Sequence, residues 1–175
     1  MMYETIGEKP QDLVQELLTK IGQGHISMEE AEAAVARCVS FLRDKKLLEA
    51  IAREIGISLS GFRTTDVMEM YYDVGWKGMD FCSISKGWKD PGFRIGEVIT
   101  LGADQIERFQ QNAVNVLNTC ATHGVGCGVQ IAEGNKLQLD LSVCLYQEGL
   151  SATALKNAFE AFELCMNKVK AFWAG

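Results

Sequence analysis

The clearest pattern along the chain is the alternation of apolar and polar positions in its C-terminal third. Leu137, Leu139, Leu141, Val143 and Leu145 alternate with Lys136, Gln138, Asp140, Ser142, Cys144 and Tyr146. A period of two puts one whole set on one face of a sheet, which predicts a half-buried strand. Val125, Cys127, Val129 and Ile131 repeat the pattern just upstream. Between the two runs, Glu133-Gly134-Asn135 supplies a hairpin turn. Parity sets the length of the loop. Ile131 can face Leu137, and Val129 face Leu139, only across a three-residue loop; a two-residue loop would put Ile131 opposite Gln138 and mix the faces.

Helical periodicity flanks this hairpin. Ile106, Phe109, Ala113, Val116 and Cys120 recur at spacings of three and four, predicting a helix over 103–122 that ends at His123-Gly124. Downstream, Ser151 is placed to cap a last helix whose wide stripe runs through Leu155, Phe159, Phe162, Met166, Val169 and Trp173.

The N-terminal part reads as two helices. Leu13, Leu17 and Ile21 predict one over 11–21, stopped by Gly22 and Gly24. Ser27 and Glu30 form a capping box that opens a second. Its stripe (Val35, Cys38, Phe41, Leu42) falters at 43–46 and resumes at Leu48, Ile51 and Ile55. That predicts either one helix that changes face or two joined by a kink.

From residue 59 the texture turns aromatic and β-branched, with glycine punctuation. Strands are predicted over 67–74, 79–86 and 93–101, joined by short turns at 75–78 and 87–92 as an antiparallel meander. The expected fold is α+β: a five-stranded antiparallel sheet with helices, in the order α(α)-β-β-β-α-β-β-α. A helical segment over 1–56 would pack on an α+β domain over 57–175, the two forming one structural unit.

Composition narrows the partners. The 175-residue chain carries a formal net charge of −6 and has a pI near 5.0. That argues against a nucleic-acid binder, which needs a basic face, and against electrostatic docking on anionic membrane. No apolar run approaches the roughly 20 residues that a membrane-spanning helix needs. Residues 1–10 lack the basic-then-apolar order of a signal peptide, so the expected location is cytoplasmic. The six cysteines (38, 82, 120, 127, 144 and 165) form no C-x-x-C pair and are expected as free thiols.

Candidate chemistry is sparse. Cys120, His123 and Cys127 resemble part of a metal site, but a structural zinc needs four ligands and no fourth is evident nearby. Two buried thiols and a helix-ending histidine account for them better. Gly124, Gly126 and Gly128 precede a strand rather than a helix, the wrong order for a phosphate loop. A cysteine nucleophile would need one of only two histidines, His25 or His123, beside a thiol. Glu29, Glu30 and Glu32 are explained by a helix start, and Asp66, Asp73 and Asp80 are scattered through predicted turns and strands. No metal or cofactor is therefore expected.

The aromatic group Tyr71, Tyr72, Trp76, Phe81, Trp88 and Phe93 makes both faces of the predicted meander look apolar. A half-exposed antiparallel sheet keeps one polar face, so the second face would be covered by the N-terminal helices or by a partner. Tyr71, Trp76, Phe81 and Trp88 are the expected partner-binding residues.

The element order from the second helix onward resembles the type III secretion chaperone-like fold. Within it, the tail is similar to the YbjN-type family, described as bacterial sensory transduction regulators. The resemblance is carried by Ala113-Val114-Asn115-Val116-Leu117-Asn118, Leu139-Asp140-Leu141-Ser142-Val143, Glu148-Gly149-Leu150-Ser151 and the closing Phe172-Trp173. It spans residues 60–173 and is strongest after 103; the two N-terminal helices are additional to the family's pattern. It implies a small, acidic, non-enzymatic homodimer, chaperone-like or adaptor-like, that binds extended polypeptide segments. The alternative expectation is a small-molecule- or metal-responsive regulatory domain.

Overall fold

The computed structural model describes residues 10–64, 69–77, 79–87, 89–132, 134 and 136–173. Among them the chain forms α1 (Pro10–Gly22), α2 (Met28–Glu54), β1 (Ser58–Thr64), β2 (Met70–Trp76), β3 (Met79–Lys86), β4 (Gly92–Leu101), α3 (Ala103–Thr122), β5 (Gly126–Ala132), β6 (Lys136–Tyr146) and α4 (Ala152–Ala171). A 3-10 turn, Gln147–Gly149, links β6 to α4. The class is α+β, and the sheet is antiparallel, in the order β1-β2-β3-β4-β6-β5.

The sheet has six strands where the hydrophobic pattern predicts five. The additional strand, β1, is an edge. Its pairing with β2 shifts register between Ser60 and Arg63, and Gly61 sits there at φ +59°. The bulge lets Leu59 and Phe62, three residues apart, turn to the same face, so the sequence shows no period of two. Phe62 nevertheless packs its ring at 6.4 Å from Phe41 and 5.0 Å from Tyr72.

The β5–β6 hairpin has the register that parity requires, with Ile131 opposite Leu137 and Val129 opposite Leu139. Gly134 in its loop has φ +71°, a conformation that glycine adopts without steric cost. Glu133 and Asn135 lie outside the described residues, as do Asp66 and the start of the strand predicted from 67.

α2 is one uninterrupted helix of 27 residues. Its Ser27–Glu30 capping box is closed in both directions. The hydrophobic stripe falters within 43–46 because its core-facing position there is taken by a charged residue, Asp44, buried between Phe41 and Leu48.

Residues paired across a sheet share a face. On one face lie Met70, Tyr72 and Val74 of β2, Ile84 of β3, Phe93 and Ile95 of β4, and Leu139 and Leu141 of β6. These pack with Phe41, Leu48 and Ile51 of α2, Val116 of α3, and Phe159 and Phe162 of α4 in a single hydrophobic cluster. Each large side chain so buried contributes roughly 1.5–3 kcal/mol. The N-terminal helix α2 therefore shares the core of the α+β unit. No helix among the described residues is long and apolar enough to cross a membrane.

The other face is polar, contrary to the expectation that both faces of the meander are apolar. It carries Asp73, Ser83, Arg94, Thr100, Gln138 and Asp140. Most of these residues are paired across strands: Arg94 with Asp140, Asp73 with Arg63, and Gln138 with Gln130 and Thr100. A sheet face with its own polar ladder needs no cover.

Candidate functional site

The aromatic residues expected to form one contact surface are divided by the sheet. Trp76 is only 6% exposed; its ring stacks on Phe159 at 5.7 Å, and its indole N–H donates to Glu163 Oε2 at 3.1 Å. Phe81 meets Phe162 edge-on at 5.7 Å. The reason for its position is a register shift between Val74 and Gly75, which leaves Phe81 unpaired and turned under α4. Trp76 thus belongs to the core beneath α4, and Phe81 is half-buried against that core. Tyr71 lies on the opposite, polar face. Partial burial and then a hydrogen bond to Glu69 push its phenol up to about 12. Trp88 lies outside the described residues.

The cysteine cluster differs in membership from the sequence pattern. Cys120 and Cys165 place their sulfurs 3.8 Å apart between α3 and α4, and Cys127 is within hydrogen-bonding reach of Cys120. His123 stands apart, its Nε2 at 3.2 Å from Lys168 Nζ on the surface. Among the described residues, no three His, Cys, Asp or Glu side chains come together to hold a metal ion. Burial, followed by the neighbouring thiol, pushes Cys120 up to about 12 and Cys127 to about 11. Thiols so placed stay protonated and are poor nucleophiles. Cys165 escaped the sequence reading because it lies 45 residues from Cys120 and meets it only when α4 packs on α3.

Two places remain where the fold leaves chemistry open. The first is the β5 edge. β5 pairs with β6 on one side in unbroken register, and its strand sequence, Gly-Cys-Gly-Val-Gln-Ile-Ala, has no charge and no proline. Val129 is 51% exposed and Ile131 79%. The opposite edge, β1, is bulged, and Arg63 clamps Asp73 through both carboxylate oxygens at 2.7 and 3.0 Å. Bulges and charges are the usual means by which proteins blunt a strand edge, and β5 has neither.

The second is a cavity of about 240 Å³ where α2 crosses the end of β2 and β3. Arg37, Ser40 and Asp44 lie one helical turn apart along α2 and face the register pair Met70 and Lys86. Asp44 is 2% exposed and Lys86 5%. Asp44 Oδ2 meets Lys86 Nζ at 3.0 Å, and Asp44 Oδ1 accepts from Gln147 Nε2 at 2.6 Å. A partnered pair is the form in which a charge is tolerated at such depth. The faltering stripe of α2 is the trace that this site leaves in the sequence.

Comparison with known proteins gives the fold and little else. No protein-family model matches the sequence, and no curated protein matches it. Among solved structures, the chain is similar to an uncharacterized protein from Methanothermobacter thermautotrophicus. The match has a TM-score of 0.57 at 16% identity, and it covers 75% of this chain and 99% of that one. At that identity the likeness concerns the fold alone.

Proposed function

We propose that the chain is a non-enzymatic protein-binding module, adaptor-like or chaperone-like, which pairs its β5 edge with extended polypeptide and rests as a homodimer through that edge. The observation that carries this reading is the contrast between the two edges of the sheet. β1 is bulged and charged, whereas β5 is regular, uncharged and flanked by exposed Val129 and Ile131.

Strand addition draws affinity from main-chain hydrogen bonds and selectivity from alternate side chains. β5 is complementary to itself. Antiparallel pairing about Val129 would set Cys127 against the partner's Ile131 on one face, apolar beside apolar, and Gly126 against the partner's Ala132 on the other. Two copies of a chain with net charge −6 repel at most surfaces; β5 brings no charge to the contact. A client segment with the same alternation would compete for the same edge. This accords with the resemblance of residues 60–173 to the YbjN-type, chaperone-like family.

Light scattering after size exclusion tests the reading. The unmodified protein is expected to run as a dimer at micromolar concentrations. The double variant Val129→Lys, Ile131→Lys is expected to run as a monomer with an unchanged circular-dichroism spectrum, since both side chains are exposed in the single chain. A monodisperse monomer from the unmodified chain would sink the homodimer.

A further inference from the structure

We infer that α2 carries a second contact between copies of this chain, in which its exposed seam from Met28 to Lys46 lies antiparallel on the same seam of another molecule. The inference stands apart from the β5 edge. Where that edge pairs chains into dimers, the α2 seam joins dimers in turn; where it does not, the seam joins monomers.

α2 has two apolar faces. One meets the core through Cys38, Phe41, Leu48 and Ile51. A helix that packs one face on a core ordinarily turns polar residues outward. α2 also exposes Met28, Val35, Val39 and Leu42, Val39 by 61%. With the exposed Glu32 and Lys46 they follow one another at steps of four and three. That is the spacing of a heptad seam, which a second helix covers. Single exposed apolar residues are ordinary on a surface; a row of them along one helix marks a contact.

Charge selects the occupant. Glu29 and Glu32 stand at the N-terminal end of the seam, Arg43 and Lys46 at its C-terminal end. All four are exposed, and among the described residues none has a hydrogen-bond or ion-pair partner for its side chain. A second α2 laid parallel would set Glu32 against Glu32 and Lys46 against Lys46. Laid antiparallel, it sets Val35 against the partner's Val39, and Met28 against the aliphatic stem of the partner's Lys46. That ammonium then lies one helical turn from Glu32, and Glu29 meets the partner's Arg43 along the outer margin of the seam. The two-fold axis repeats every contact. From Met28 to Lys46 the helix carries four acidic and four basic residues, so this stretch escapes the repulsion that a net charge of −6 sets up between copies elsewhere.

The contact is small. Its seam runs for roughly 27 Å along one helix. A single pair of helices of that length buries no more than the low end of specific interfaces, which implies a Kd on the order of 100 µM.

Sedimentation velocity over a concentration series tests the contact. Between about 5 and about 500 µM, the mean mass of the unmodified protein should rise about twofold or more. The species at the lowest concentration reports on the β5 edge, and the rise reports on α2, so either can fail without the other. Val39→Glu, at an exposed position, should abolish the rise and leave the starting species as it was. Glu29→Lys should weaken the association several-fold, and adding Arg43→Glu to it should restore it. Residues 29 and 43 lie roughly 21 Å apart along one helix, so that rescue can act only across an antiparallel pair. The inference is overturned if the mass stays constant across the series, if Val39→Glu associates as the unmodified protein does, or if the charge-exchanged double variant stays as weak as Glu29→Lys.

Discussion

Lys86–Asp44 and Arg94–Asp140 are the same kind of ion pair on opposite faces of one sheet. Lys86 and Arg94 stand on neighbouring strands, β3 and β4. The first pair is sealed beneath α2, its side chains 5% and 3% exposed. The second lies on the open face, with 39% and 37% exposed. In the buried pair each charge depends on its partner, because so little of either side chain is exposed to water. On the open face, water solvates whatever a mutation uncovers, and salt screens the attraction. Depth, more than chemistry, decides what each pair is worth.

The largest effect should come from breaking the buried pair. Asp44→Ala leaves Lys86 charged, buried and unpaired, and is expected to cost about 3–5 kcal/mol in urea denaturation. Replacing both partners, as Asp44→Leu with Lys86→Met, should recover most of that loss. If the double variant is as unstable as the single one, the cost lies in packing and the comparison between the faces fails. A much smaller effect is expected across the sheet. Arg94→Ala should cost no more than about 1 kcal/mol, and less at high salt. A loss as large as that of Asp44→Ala would mean that the open face is covered in solution.

Adjacent tyrosines carry the comparison into pH. Tyr72 is buried beneath α2, and its hydroxyl donates to Glu49 at 2.6 Å. Desolvation, and then that bond, push its ionisation far above the ordinary range. Tyr71, on the open face, is pushed up only to about 12 from an ordinary value of 10.0. Below pH 10 both states of the chain keep the Tyr71 proton, so stability is flat with respect to this group. Above it the unfolded chain loses the proton first, and stability falls as the pH climbs through the folded value. An ultraviolet titration should therefore lose a step near pH 12 in Tyr71→Phe, while Tyr72→Phe leaves that step in place. Ionisation of Tyr71 together with free tyrosine would contradict its partial burial.

Much of the fold was legible where a single period dominates a segment. The β5–β6 hairpin follows from alternation and parity, since a slip of one residue would turn every leucine of β6 to the wrong face. The capping box of α2 and the Ser151 cap of α4, which accepts from the Ala154 N–H at 3.1 Å, follow from local hydrogen bonding. Both kinds of signal depend only on neighbours in the chain.

The candidate sites were far less legible, because each is made by elements distant in sequence. Trp76 and Phe81 look like a surplus aromatic surface until α4 lies over them, and the bulge that turns Phe81 inward belongs to the pairing of β2 with β3 rather than to either strand alone. The cysteine pair joins residues 120 and 165. β1 hides behind its own bulge, and the value of β5 as an edge depends on which strand ends the sheet.

By itself the sequence determined the helices with their caps, the hairpin register and an α+β class, because propensity, capping and period are short-range properties. Only the tertiary structure decided which polar residues are buried. Asp44 leaves its trace as a break in a helical stripe, and Lys86 ends a serine-rich strand; neither pattern shows that the residue is buried. Long-range packing brings them within 3.0 Å, and the cost of burying each charge is met only in the presence of the other.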